Sequence, residues 1–169
     1  MNDDKRLWRK RLGDIGEALV MRYLTLCGWH LLRTKFRIGR SSEIDLVMRN
    51  PDGVTVFIEV KTRALSQINN QDWYESVSHT LNWRKQKKIL SAARSYKVET
   101  ADHSSEYRFD VVMLGLSSSL AAQLVRTVGE SDVLHESECI NIEASKMFAA
   151  KESEQVSLIH CESVFVTNF

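Results

Sequence analysis

Two β-forming runs joined by a turn constrain this chain more than any other feature. Glu43-Ile44-Asp45-Leu46-Val47-Met48 and Val54-Thr55-Val56-Phe57-Ile58-Glu59-Val60-Lys61 flank the segment Asn50-Pro51-Asp52-Gly53. Proline presets φ at about −65° and glycine accepts a positive φ, so Pro51 to Gly53 predicts a tight three-residue hairpin loop. That loop fixes the register, with Met48 opposite Val56, Leu46 opposite Ile58 and Ile44 opposite Val60, an apolar face. Side chains alternate along a strand, so Phe57, Glu59 and Lys61 share the other face. There the register sets Asp45 opposite Glu59 and Glu43 opposite Lys61, with facing Cβ atoms about 4.5–5.5 Å apart.

Two carboxylates thus point at one spot, with an ammonium beside them. Like charges directly opposite are destabilising unless a cation lies between them or one carboxylate is protonated. Mg²⁺, or Mn²⁺ in its place, suits this donor set, because it takes oxygen ligands, keeps several waters and binds through one or two carboxylates plus phosphate oxygens. Glu43 is read as a salt-bridge partner of Lys61 rather than a ligand, an exposed pair contributing about 0–1 kcal/mol.

At 169 residues and 43% hydrophobic content, the chain suffices for a single α/β domain with a real core. No window approaches about 18 consecutive apolar residues, and Met1-Asn2-Asp3-Asp4-Lys5-Arg6 lacks the apolar region of a secretory signal. The expectation is a cytoplasmic protein without membrane contact. Cys27, Cys139 and Cys161 have no CxxC spacing and are expected to be reduced and buried. The five histidines are too scattered for a zinc site.

The net charge of +1 hides an asymmetry: residues 1–100 hold 19 Lys/Arg against 11 Asp/Glu, residues 101–169 only 4 against 11. Basic clusters recur at Lys5-Arg6, at Arg9-Lys10-Arg11, at Arg33, Lys35, Arg37 and Arg40, and at Arg84-Lys85-Gln86-Lys87-Lys88. Such clusters around an acidic site point to a phosphate backbone.

Leu12, Ile15, Leu19, Tyr23 and Leu26 recur at helical spacing before Gly28, predicting an amphipathic helix over about 7–27. Gly13 and Gly16 inside it point to close backbone approach. Trp29 to Arg33 reads as a short extended piece, and Ala64 to His79 as a polar loop near the site. Asn82 is a cap for a second helix reaching about Tyr96, with Ile89, Leu90, Ala92, Ala93 and Tyr96 apolar. Its first turns carry Arg84, Lys85, Lys87 and Lys88, cations that oppose the helix dipole unless they face a polyanion. Arg108 to Leu114 reads as a central strand, with Asp110 a structural or outer group near the site. From Ser117 to Val156 the signals weaken: Leu120, Leu124 and Val128 hint at a helix or strand, Ile140, Ala144 and Phe148 at a further helix. Leu158 to His160 and Val164 to Val166 read as a closing strand and packed tail.

The order Gly13-x-x-Gly16-Glu17, Ser42-Glu43-Ile44-Asp45-Leu46, Val56-Phe57-Ile58-Glu59-Val60-Lys61-Thr62-Arg63, Lys85-Gln86 with Ala92-Ala93, and Arg108-Phe109-Asp110-Val111-Val112 resembles the YraN-like family. These small bacterial proteins are similar in pattern to the PD-(D/E)xK nucleases and to archaeal Holliday junction resolvases. The resemblance covers about residues 10–114, with a return suggested at His160 to Phe165. It implies a restriction-endonuclease-like core, a central mixed β-sheet flanked by helices in αβββαβ order. It also implies Asp45 and Glu59 as metal ligands, Lys61 as the group that orients the attacking water, Glu17 as an additional carboxylate, and Lys85 and Gln86 near the site. Ser42 stands where the family usually has Gly. The family is typically shorter, which makes about 117–156 an acidic insertion in a single domain spanning 1–169.

The resulting expectation is a Mg²⁺-dependent endonuclease acting on nucleic acid, DNA favoured, by structure rather than sequence. Asp45, Glu59, Lys61 and Glu17 are its catalytic set, and Arg63, Arg84, Lys85, Gln86, Lys87 and Lys88 its phosphate contacts. The alternative is a non-catalytic nucleic-acid-binding module on the same fold. A homodimer, and a protein partner for the acidic insertion, are both compatible with the sequence.

Overall fold

The computed structural model describes residues 2–38, 42–66, 83–101, 106–130 and 155–168. In chain order these form α1 (Asn2–Leu26), β1 (His30–Ile38), β2 (Ser42–Arg49), β3 (Thr55–Leu65), α2 (Trp83–Thr100), β4 (Glu106–Ser117), α3 (Ser118–Glu130) and β5 (Val156–Asn168). The five strands make one mixed sheet in the order β1-β2-β3-β4-β5, so the protein is α/β. The described residues fall into two compact units. One draws on Met1–Cys27, Val60–Ile68 and Val112–Ile159, the other on Gly28–Glu59, Asn69–Val111 and His160–Phe169.

In the second unit the hairpin forms with the expected register. Leu46 pairs with Ile58, Val47 with Phe57, Met48 with Val56 and Arg49 with Thr55. Asn50 closes the turn: its backbone N–H donates to Val54 O (3.0 Å), its carbonyl accepts from Gly53 N–H (3.0 Å), and its Oδ1 accepts from Val54 N–H (2.8 Å). Its Nδ2 donates to Asp52 Oδ2 (3.3 Å). Gly53 has φ of 83°, the left-handed conformation for which glycine was needed. With every polar group of Asn50 engaged, the residue can be buried.

Ile89, Ala92, Ala93 and Tyr96 line one face of α2 at helical spacing and are all buried. They meet Phe57, whose ring stacks on Phe109 (5.1 Å between centroids) and meets Tyr96 edge-on (5.5 Å). Phe36 of β1 reaches the same Tyr96 ring edge-on at 5.3 Å. Helix α2 runs past the expected end at Tyr96, and Lys97 in its last turn lies over the Tyr107 ring. The strand after Trp29 is also longer than expected, because Phe36 continues the apolar alternation and is buried.

One expectation about the hairpin does not hold. Ile44 does not stay with Leu46 and Met48 but joins the cluster around Phe57, together with Val47. Residues three apart share a strand face only across an irregularity. Lys35, between the Thr34–Leu46 and Phe36–Ile44 pairs, has φ of 48°, and a register shift lies between Leu31 and Arg33. The edge strand is therefore kinked beside Asp45.

In the first unit α1 buries Leu12, Ile15, Leu19, Val20 and Leu24. Leu26, expected on that stripe, is exposed, since the stripe turns toward Val20 and Leu24. Gly16 meets Thr62: a Cβ there would lie 1.8 Å from Thr62 Oγ1 and 2.7 Å from Thr62 Cβ. Gly13 has open space and no such role. Gly16→Ala is expected to destabilise by about 1–3 kcal/mol, as overpacking does. Thr62→Ala removes two of the three clashing atoms, one of them a hydroxyl that is buried without a hydrogen-bond partner, so the double variant should recover part of the loss in a thermal melt. A Gly16→Ala protein that melts with the wild type would disprove this contact.

Helix α3 resolves the ambiguity around Leu120 and Leu124. Ser117 Oγ accepts from Leu120 N–H (3.3 Å) as an N-cap, and Leu120, Ala121, Leu124 and Val125 are buried. The helix packs against α1. The polar loop expected from Ala64 begins later, because β3 runs on through Leu65; the rest of that loop through His79, the cap at Asn82 and the helix over Ile140–Phe148 lie outside the described residues.

Candidate functional site

Asp45, Glu59 and Lys61 are all half-buried on β2 and β3. The ladder is followed to Leu46–Ile58, so Asp45 and Glu59 are the next residues outward on their strands. Each of Asp45, Glu59, Lys61 and Glu17 is engaged with other groups of the protein. Glu17 is half-buried on α1 and belongs to the first unit, as does Lys61. Arg63 is exposed near the end of β3, and Lys87 is exposed on α2. Arg84, Lys85, Gln86 and Lys88 lie on the first turns of α2, and their side chains are outside the described set.

Glu43 departs from expectation. It pairs with Arg37 across the β1–β2 ladder, where the two residues are register partners. The neighbouring strand β1, not β3, supplies its cation.

Glu59 lines a small hollow in the second unit with Ile44, Phe57, Ile89, Phe109 and a second carboxylate, Asp110. Asp110 is the most enclosed acid described, its side chain wholly buried. Burying a carboxylate is costly without partners, and two are supplied to its Oδ2: Arg108 Nη2 at 2.9 Å and His160 Nε2 at 2.7 Å. Arg108 also pairs with Glu162 at 3.2 Å and lies over Trp29, and the His160 ring packs on Trp29 as well. The sequence carries no local signal for His160 at this place, because 50 residues separate it from Asp110. Only the adjacency of β4 and β5 joins them.

Two of the cysteines also differ from expectation: Cys27 is exposed just past the end of α1, and Cys161 is half-buried; Cys139 is outside the described residues. Burial, and then the charge of Asp110, push the Cys161 thiol up. Less thiolate means slower attack on an electrophile. A brief iodoacetamide pulse at neutral pH, mapped by peptide mass, should therefore label Cys27 before Cys161. Equal labelling would contradict this ordering.

For a metal, Asp45 and Glu59 offer hard oxygen donors of the kind Mg²⁺ and Mn²⁺ take. Among the described residues no group of three or more His, Cys, Asp or Glu side chains is placed to hold a metal ion. No helix among the described residues is long and apolar enough to cross a membrane.

A family model described as uncharacterised protein family UPF0102 matches residues 16–114, a stretch that carries nearly all the motifs quoted above. Among curated relatives, a UPF0102 protein of Albidiferax ferrireducens is 38% identical over 107 residues, 62% of this chain and 78% of the relative. One from Clostridium botulinum strain Hall is 36% identical over 121 residues, 69% and 92% respectively. A third, from Chloroherpeton thalassium, is 34% identical over 107 residues, 63% and 77%. No solved structure matches the chain. With more than half of its length under the family model, the chain belongs to the uncharacterised protein family UPF0102.

Proposed function

We propose that the protein is a divalent-metal-dependent nuclease that hydrolyses phosphodiester bonds in DNA, selecting by structure rather than by sequence. The observation that carries this reading is the β2–β3 register. Asp45 and Glu59 are each the next residue after its last pair, Leu46–Ile58, and Lys61 is two residues beyond Glu59 on β3. Asp45 and Glu59 would hold Mg²⁺ or Mn²⁺, which when bound supplies Lewis acidity toward a phosphodiester. Lys61 holds the attacking water in line and balances charge building on the phosphate. Glu17 serves as the further carboxylate. Arg63, Arg84, Lys85, Lys87 and Lys88, with Gln86 among them, grip phosphates, giving affinity without base readout and a strong salt dependence.

The test is Mg²⁺-dependent cleavage of linear, flap and junction DNA by the wild type, Asp45→Ala and Lys61→Ala. Cleavage confined to the wild type supports the reading, and equal rates in all three proteins refute it. A second reading is a nucleic-acid-binding protein without turnover, which keeps the basic contacts and dispenses with the metal. Calorimetry with Mn²⁺ separates the two, because a pure binding module has no need of an ion at Asp45 and Glu59.

A further inference from the structure

Helix α1 carries a feature that the proposed site does not use. Leu12 is its first buried residue. Ahead of it, Lys5, Arg6, Arg9, Lys10 and Arg11 are five cations within seven residues, with no anion between them, and all five are exposed. No side-chain hydrogen bond or ion pair joins any of them to another described residue. The whole chain is nearly balanced, 23 Lys/Arg against 22 Asp/Glu, so overall composition does not account for this cluster. A face that needed only solvation would mix the signs. Asp3 and Asp4 in the first turn complement the helix dipole and let the helix begin before it has a core to pack on. The result is about three turns, roughly 15 Å, of helix that presents cations to solvent.

We propose that this basic arm, Lys5 to Arg11, is a second nucleic-acid contact that grips the phosphates of a duplex. The proposal rests on the nucleic-acid part of the reading above and is independent of hydrolysis. A groove about 12 Å wide admits a helix, and the guanidinium groups match phosphate geometry. A bilayer surface is the poorer partner, because an interfacial helix needs a continuous apolar face. This arm offers only exposed Leu7 and half-buried Trp8. The family match begins at residue 16, so the arm lies outside the matched region.

The test uses the full chain in EDTA, which separates binding from cleavage, and a labelled DNA duplex titrated across a range of salt. Replacing all five cations with Gln should weaken binding at least tenfold at about 0.1 M salt. The slope of log affinity against log salt should fall by about 0.9 for each phosphate that the arm no longer neutralises, roughly 3–4 in all. Arg9→Glu alone, with the melting temperature of the wild type, should move both in the same direction. Affinity and slope equal to wild type in both variants would overturn the arm. So would loss of binding to anionic vesicles with duplex binding untouched. A wild type that binds no duplex would remove the arm and the nucleic-acid reading together. One that binds duplex through the arm but never cleaves would remove only hydrolysis.

Discussion

Glu59→Gln is expected to lower metal-dependent cleavage at least about 100-fold, a loss in the range seen when one charge-stabilising group is removed from a reacting centre. Glutamine keeps the size of the side chain and its capacity to hydrogen-bond, and it removes one charge from the carboxylates on this part of β2 and β3. Fewer like charges should leave the melting temperature unchanged or slightly raised. Duplex binding in EDTA should hold or tighten, since a negative charge near the phosphates is gone. The combination matters: lower turnover with intact stability and binding locates the defect in chemistry. Calorimetry should show weakened Mn²⁺ binding in the same variant. Turnover within a few-fold of wild type, with stability unchanged, would remove Glu59 from the catalytic set. Asp45 makes a less clean variant, because it sits beside the kink at Lys35 and its replacement can move backbone as well as charge.

What the sequence discloses about this molecule follows the range of the forces involved. The hairpin is legible because Asn50, Pro51 and Gly53 fix a turn through their own backbone preferences, and a turn fixes a register. The apolar face of α2 is legible for a similar reason, since Ile89, Ala92, Ala93 and Tyr96 repeat at the helical period. The place of Ile44 is not. It is set by the tertiary cluster that Phe36, Phe57 and Tyr96 form, which no local pattern encodes.

The same distinction divides the candidate site. The expectation that Asp45 lies opposite Glu59 comes from the turn, and the expectation that Lys61 shares a face with Glu59 comes from the two-residue period of a strand. Asp110 with His160 is a tertiary fact, reached only when β5 lies beside β4. Burial of the cysteines is an inference from residue type alone. Position overrides it for Cys27, which follows the helix end rather than facing a core. Gly16 signals a close approach but not its partner, because Thr62 lies far along the chain on β3.

Asp110→Ala is expected to be the most destabilising single change among the charged residues described. It removes the acceptor of two charge-assisted hydrogen bonds and leaves Arg108 enclosed with only Glu162 and the Trp29 face beside it. Breaking a buried ion pair on one side costs about 3–5 kcal/mol. Arg108 and His160 keep 14% and 16% side-chain exposure, so water can recover part of that, and the low end, about 3 kcal/mol, applies. At about 2–4 °C per kcal/mol for a chain of this size, the melting temperature should fall by roughly 6–12 °C. The urea midpoint should drop without a change in slope. Asp110→Asn, which retains one acceptor oxygen, should lose less. The damage should also be local in its first effects. His160 lies on β5, beyond residue 114 where the family match ends, while Asp110 lies within it, so this carboxylate fastens a strand outside the matched stretch to one inside it. Hydrogen exchange at the β5 amides should therefore accelerate before that in α1. A melting temperature within about 2 °C of wild type, less than the shift expected from even 1 kcal/mol, or uniform acceleration of exchange, would mean that the pair does not hold β5 in place.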